Sequence, residues 1–236
     1  MTHSANKVVT GVPGLDTILD GGYPQGRTVL VSGPPGVGKT IMALQFLLAG
    51  LHSGEKAIYI TLDQQAPHLI ADADAAGLSV GPYLKNNTLK ILDLTHYFNH
   101  TESIQDGVFS ATQLVEDIRR FIVKFGAKRV VMDPVSPLIF RHSTGMAVLE
   151  YLRQLIAMME SKIESTVVLI AYAKPDALDQ HNSESFAVAG VIQLQQIVAV
   201  DAHHRYVCVH KMRGSAIQAG CFSMDIVQGK GVVIRT

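Results

Sequence analysis

Near the N-terminus, between two apolar runs, the chain reads GPPGVGKT from Gly33 to Thr40. This fits the spacing G-x-x-x-x-G-K-[ST], and the flanks matter as much as the motif. TVLVSG (28–33) precedes it as an unbroken apolar run, the mark of a strand covered on both faces. KTIMALQFLLAGLHSG follows as a helix that Gly54 closes. A strand that passes through glycines directly into a helix implies a βαβ unit and so a parallel sheet. It also aims backbone N–H groups and the positive end of a helix dipole at one point, where a phosphate chain fits. Gly36 and Gly38 let the loop close on that chain, Lys39 reaches its β- and γ-phosphates, and the Thr40 hydroxyl binds Mg²⁺. The nucleotide-binding segment is therefore Gly33, Pro34, Pro35, Gly36, Val37, Gly38, Lys39, Thr40 and the adjoining Ile41.

The rest of the chain repeats the alternation. KAIYIT (56–61) predicts the second strand, and PHLIADADAAG a helix opened by Pro67 and ended by Gly77. TLKILDL (88–94) is the third strand, and SATQLVEDIRRFIVKFG an amphipathic helix with Ser110 as N-cap. KRVVMD (128–133), a long helix over 144–163 and STVVLIAY (165–172) follow. After Tyr172 four strand-like runs stand close together: 188–200, 205–212, 221–227 and 231–235. DAHHR and VQGKG read as hairpin turns between them. The pattern predicts an α/β fold: a mostly parallel twisted sheet with helices on both faces and an antiparallel C-terminal strand extension. Length and pattern agree on a single domain over 1–236.

Asp133 ends the apolar run VVMD, where a carboxylate can hold the hydration shell of Mg²⁺ as a Walker B residue does; a turn cap is the plainer alternative. TLDQQAP (61–67) follows the second strand and sets Asp63 beside two amides, Gln64 and Gln65. Asp63 can act on water or merely cap the next helix. In KMRG, Lys211 and Arg213 stand at i and i+2 and so share one side of a strand. They suit a finger that neutralises transition-state charge, or equally a solvated strand edge.

GVPGLDTILDGGYPQGRTVLVSGPPGVGKT (11–40), with G-x-x-x-L-D-x-x-L-x-G-G ahead of the phosphate loop, resembles the opening of the KaiC-like ATPases of the RecA/RadA superfamily. YIT, VVMD and HKMRGS (210–215) extend the resemblance over nearly the whole chain, as one KaiC-type domain. It implies a RecA-like P-loop core, ATP and Mg²⁺ bound between protomers, and a homo-hexameric ring. It also implies that Lys211 and Arg213 reach the γ-phosphate of the neighbouring subunit. In that family the strand after the phosphate loop ends in paired glutamates, one of which primes the attacking water; here Asp63 and Gln64 take those places. Aspartate is one methylene shorter, and Gln64 cannot accept a proton, though it can orient water. A slow ATPase is expected, or a non-hydrolytic nucleotide-sensing module that acts on a regulatory protein partner. The resemblance also raises a cis Asp133–Pro134 peptide, against an ordinary trans proline that stops the strand. Autophosphorylation would need one of Ser136, Ser143, Thr144 or Ser215, and nothing singles one out.

A RadA-like recombinase paralogue binding single-stranded DNA is a further reading, but 20 basic and 20 acidic residues cancel, so nucleic acid is not the expected partner. No run approaches the ~20 apolar residues of a membrane span, and MTHSANKVV lacks a signal-peptide core, so a cytoplasmic location is expected. The two cysteines, Cys208 and Cys221, read as reduced core residues. Among ten histidines no pair combines helical i, i+4 zinc spacing with a third ligand nearby, and Asp16 and Asp20 read as a solvated face or caps of a short helix.

Overall fold

Runs such as TVLVSG and AIYIT set apolar residues at consecutive positions, so they are stable only where both faces of a strand are covered. The computed structural model buries them in this way; it describes residues 6–96, 111–135, 153, 156–157, 159–160, 164–172, 188–198, 203–218 and 220–235. The elements in chain order are β1 (Lys7–Val8), α1 (Leu15–Ile18), β2 (Tyr23–Pro24), β3 (Thr28–Gly33) and α2 (Lys39–His52). Then come β4 (Ala57–Thr61), α3 (Ala66–Ala75), α4 (Gly81–Lys85), β5 (Leu89–Asp93), α5 (Ala111–Phe125) and β6 (Arg129–Asp133). The C-terminal part holds β7 (Thr166–Tyr172), β8 (Gly190–Val198), β9 (His203–Met212), β10 (Gly220–Val227) and β11 (Gly231–Ile234).

The nine-stranded sheet has the order β11-β10-β9-β8-β3-β7-β6-β4-β5. From β5 to β8 every pairing is parallel; from β8 to β11 every pairing is antiparallel. The expected α/β architecture is therefore present, with one refinement. The run 188–200 was grouped with the antiparallel extension, yet its strand β8 lies parallel to β3 and the reversal begins at β9. On one face α2 and α3 supply Met42, Phe46, Leu47 and Leu69 to a core shared with α1; on the other, α5 supplies Leu114, Val115, Ile118 and Ile122. That i, i+4, i+8 spacing is the one its amphipathic pattern predicts. Ser110 and most of the helix expected over 144–163 lie outside the described residues, but Ile156 and Met159 from it pack into the α5 side.

Two polar side chains fix α2 against the rest. Gln45 accepts the Val232 N–H at 2.8 Å and donates to the carbonyls of Val232 (3.0 Å) and Lys230 (2.9 Å), tying β11 to the helix. Arg129 is 3% exposed; it pairs with Glu55 at 2.6 Å, donates to the carbonyls of Val9 and Phe46, and lies over the Phe46 ring. A buried guanidinium paired with a carboxylate, and with its Nε and Nη1 donors bonded, avoids the large cost of an unpaired charge.

Several expectations need correction. Cys208 and Cys221 are not two separate reduced core residues: they face each other on β9 and β10 and form a disulfide, with Cys221 exposed. The turn between the strands sets that register, which composition cannot reveal. His203 and His204 belong to β9 rather than to a turn. Asp20 is not on the short helix but beyond it, at φ 57, and Asp16, within the helix, caps nothing but accepts the Thr10 N–H of the preceding loop.

Candidate functional site

The strand pairings bring four strand ends to one edge of the sheet. Gly33 pairs with Tyr172 and Thr61 with Asp133, so the C-terminal ends of β3, β4, β6 and β7 are level. A crevice at that edge is where open parallel sheets hold ligands. Here it has a volume of about 860 Å³, and its walls include Gly36, Lys39, Thr40, Asp63, Gln64 and Asp133. A smaller adjoining cleft of about 290 Å³ runs along α2 past Gly38 and Ile41 to Asp72.

The phosphate loop folds as its glycines require. Gly36 and Gly38 adopt φ 74 and 115, values open to residues without a Cβ, and Gly38 is the N-cap from which α2 begins. Lys39 donates to the carbonyls of Gly33 (2.9 Å) and Pro34 (2.8 Å), so its ammonium lies over the loop. Burial holds that ammonium below its ordinary pKa, while the charges of Asp133 and then Asp63 pull it up.

Asp133 is the centre of the polar cluster. Its Oδ2 accepts hydrogen bonds from the Thr40 hydroxyl (2.8 Å) and the Tyr59 hydroxyl (2.5 Å). Burial pushes the Asp133 carboxyl above its usual value, and those two donors and Lys39 act against the shift. Asp63 is likewise raised, by burial and then by the charge of Asp133. Two carboxylates and one ammonium thus share a partly dehydrated crevice. The donor set of Thr40 and Asp133 is all oxygen, which fits a hard divalent cation such as Mg²⁺ and not a thiolate- or imidazole-seeking metal.

Sequence reasoning did not find Tyr59, Asp72, His68 or Tyr172. Tyr59 and Tyr172 look like ordinary strand aromatics, although a phenol midway along a run as apolar as AIYIT must find a buried acceptor, and Tyr59 is 1% exposed. Asp72, in α3, accepts a 2.6 Å hydrogen bond from the Gln64 amide. Gln64 is therefore already engaged with a carboxylate. The Asp133–Pro134 peptide is cis. Lys211 and Arg213 are the expected site residues that do not join this crevice: they lie at and just past the end of β9, two strands from β3. Burial and then the adjacent Arg213 charge lower the Lys211 pKa, so the two cations do sit together. Among the described residues no helix is long and apolar enough to cross a membrane.

Comparison with known proteins gives a consistent result. The family model described as "ATPase: KaiC" matches residues 8–236. The circadian clock protein KaiC3 of a Synechocystis strain is 26% identical over 99% of this chain and 46% of its own length. A UPF0273 protein of Thermotoga maritima is 29% identical over 97% of this chain and 95% of its own length. The chain thus spans about half of the former and nearly all of the latter. The crystal structure of a KaiC-like protein from the archaeon Pyrococcus horikoshii OT3 superimposes with a TM-score of 0.83 at 27% identity, covering 98% of this chain and 100% of that one.

Proposed function

This chain belongs to the KaiC family of ATPases, and on that premise we propose that it binds Mg-ATP and hydrolyses it slowly, as a ring-forming, nucleotide-driven assembly or signalling module. The observation that carries this reading is the convergence of Lys39, Thr40 and Asp133 at the glycine loop that opens α2. The loop N–H groups and the helix N-terminus receive the phosphates, and Lys39 shifts its donors from the loop carbonyls to phosphate oxygens. Thr40 and Asp133 hold Mg²⁺, which when bound neutralises charge on the phosphates. Tyr59 keeps the Asp133 carboxylate turned toward that position. Asp63 orients water toward the γ-phosphate, and its lost methylene relative to glutamate keeps turnover slow.

Lys211 and Arg213 serve a neighbour's nucleotide, in a homo-hexamer with ATP at the subunit interfaces. Their distance from the crevice on their own chain, across β8, supports action in trans. A cytoplasmic location and a regulatory protein partner belong to the same proposal. Calorimetry with ATP and Mg²⁺ tests it: Lys39→Ala, which removes no core packing, abolishes binding while the fold persists. Unchanged affinity would overturn it. The Gln64–Asp72 hydrogen bond favours a second reading, a sensor that holds ATP without cleaving it. Phosphate release from fully loaded protein separates the two, since the sensor releases none.

A further inference from the structure

Cys208 and Cys221 play no part in the site described so far. They are directly opposed in the antiparallel β9–β10 register, where they form the disulfide, and they differ in access: Cys208 is 1% exposed and Cys221 faces solvent. Beyond them the ladder has one further pair, Val209 with Gly220. Past that pair β9 stays in the sheet through Met212, with Lys211 opposite Val191 and Met212 opposite Gly190 of β8, and the chain leaves it as a loop only from Arg213, whose N–H donates to the Ala189 carbonyl. The disulfide joins the two strands just behind that loop. The loop's return limb is held among the described residues by Ile217 packed against the core, the Gln218 N–H on the Ile18 carbonyl and the Lys7 ammonium donating to the Ser215 hydroxyl.

We propose that Cys208 and Cys221 form a reversible thiol–disulfide exchange site whose state sets the order of the loop that Arg213 opens and Gly220 closes, and with it the presentation of Arg213, beside the strand-held Lys211, to a neighbouring subunit. The second half rests on the finger reading above. The co-reactants are a small dithiol and a small disulfide. In reduction, one thiolate of the dithiol attacks the exposed Cys221 sulfur, and Cys208 leaves as a thiolate that takes up a proton. The second thiol of the reagent then attacks its own sulfur in the mixed disulfide, which frees Cys221 as a thiol and leaves the reagent as a cyclic disulfide. In oxidation by a small disulfide RSSR, two protein thiols become one protein disulfide and two RSH are released. The cross-link limits the return limb by closing a loop over a separation of 13 residues; without it, the end of the β9–β10 ladder, the packing of Ile217 and two hydrogen bonds remain to resist fraying.

The full chain is equilibrated at reducing and oxidising ratios of reduced to oxidised dithiothreitol. Free thiols are trapped by iodoacetamide and counted by mass, and amide exchange is followed by peptide. Oxidised protein traps no iodoacetamide and reduced protein traps two. On reduction, exchange in the loop from Gly214 to Gly220 accelerates by about tenfold while β3, β6 and β7 are unchanged. Cys221→Ser exchanges fast at both ratios. Two free thiols under oxidising conditions, or equal exchange in both states of the wild-type chain, would overturn the proposal. Phosphate release is measured alongside, with the double variant Lys211→Ala, Arg213→Ala. If exchange responds to redox state but neither redox state nor the double variant alters phosphate release, the finger reading has fallen and the exchange site stands. If the double variant slows release and redox state does not, the coupling between them is overturned.

Discussion

Replacing Tyr59 by phenylalanine tests whether a buried phenol holds the Asp133 carboxylate in place. The substitution removes one oxygen and leaves the ring, so it opens almost no cavity. What it deletes is a 2.5 Å hydrogen bond to a carboxylate that has, among the described residues, one other hydroxyl donor, Thr40. Burial and the Asp133 charge push the Tyr59 pKa far up, so the phenol stays protonated and donates at any working pH. A hydrogen bond to a charged acceptor contributes about 1.5–3 kcal/mol. At ~2–4 °C per kcal/mol for a chain of this size, the nucleotide-free variant should melt about 3–12 °C lower. The metal readout is more specific. A group that orients a metal-binding carboxylate affects metal affinity by about tenfold or more. Mn²⁺ binding to the ATP complex, followed by electron paramagnetic resonance, should weaken by that factor, with metal-free ATP affinity unchanged. A variant with wild-type Mn²⁺ affinity and melting temperature would refute the argument that Tyr59 holds Asp133.

Other predictions follow from neighbouring residues. Asp63→Glu combined with Gln64→Glu sets a new carboxylate against Asp72, which now accepts the Gln64 amide; the pair should speed phosphate release only when Asp72→Asn is added, and a triple variant no faster than the parent would show that water activation does not limit turnover. Asp93 is partly buried, which raises its pKa, but hydrogen bonds from Thr95 and the Ala66 N–H outweigh this and hold it below the usual carboxylate value. Because the folded pKa is depressed, its stabilisation is present above about pH 3.9 and is lost as pH falls through the folded value; the stability gap to Asp93→Asn, read by urea denaturation, should therefore hold at pH 6 and shrink only as pH falls below about 3.9. Arg129→Ala leaves the Val9 and Phe46 carbonyls without their donor and opens space over Phe46, so a loss of about 3–5 kcal/mol in urea denaturation is expected; a loss under ~1 kcal/mol would count against the clamp.

What could be read from the sequence was what local pattern determines. The phosphate loop and Asp133 announce themselves because strand, glycine turn and helix are contiguous, and because a strand-ending carboxylate stands out against VVM. The part Tyr59 plays was hidden, since its partner is 74 positions away and its strand looks purely apolar. Asp72 gives no signal within α3, because only the fold shows that it meets Gln64. Register is the common cause of the remaining misses: the pairing of Cys208 with Cys221 and the parallel placement of β8 depend on how distant strands align. No local periodicity encodes those alignments.

The Gln45 amide has a consequence for the order in which the protein becomes functional. Its hydrogen-bond partners in β11 lie as much as 187 positions downstream. A chain emerging from the ribosome exposes the phosphate loop and α2 early, yet until β11 has been synthesised and has docked the Gln45 amide has, of its partners, only the Gly11 carbonyl at 3.3 Å, and its oxygen has none of them. Nucleotide capture is thus tied to completion of β11, and a nascent chain stalled before Val232 should fail to retain ATP although every phosphate-binding residue is already outside the exit tunnel.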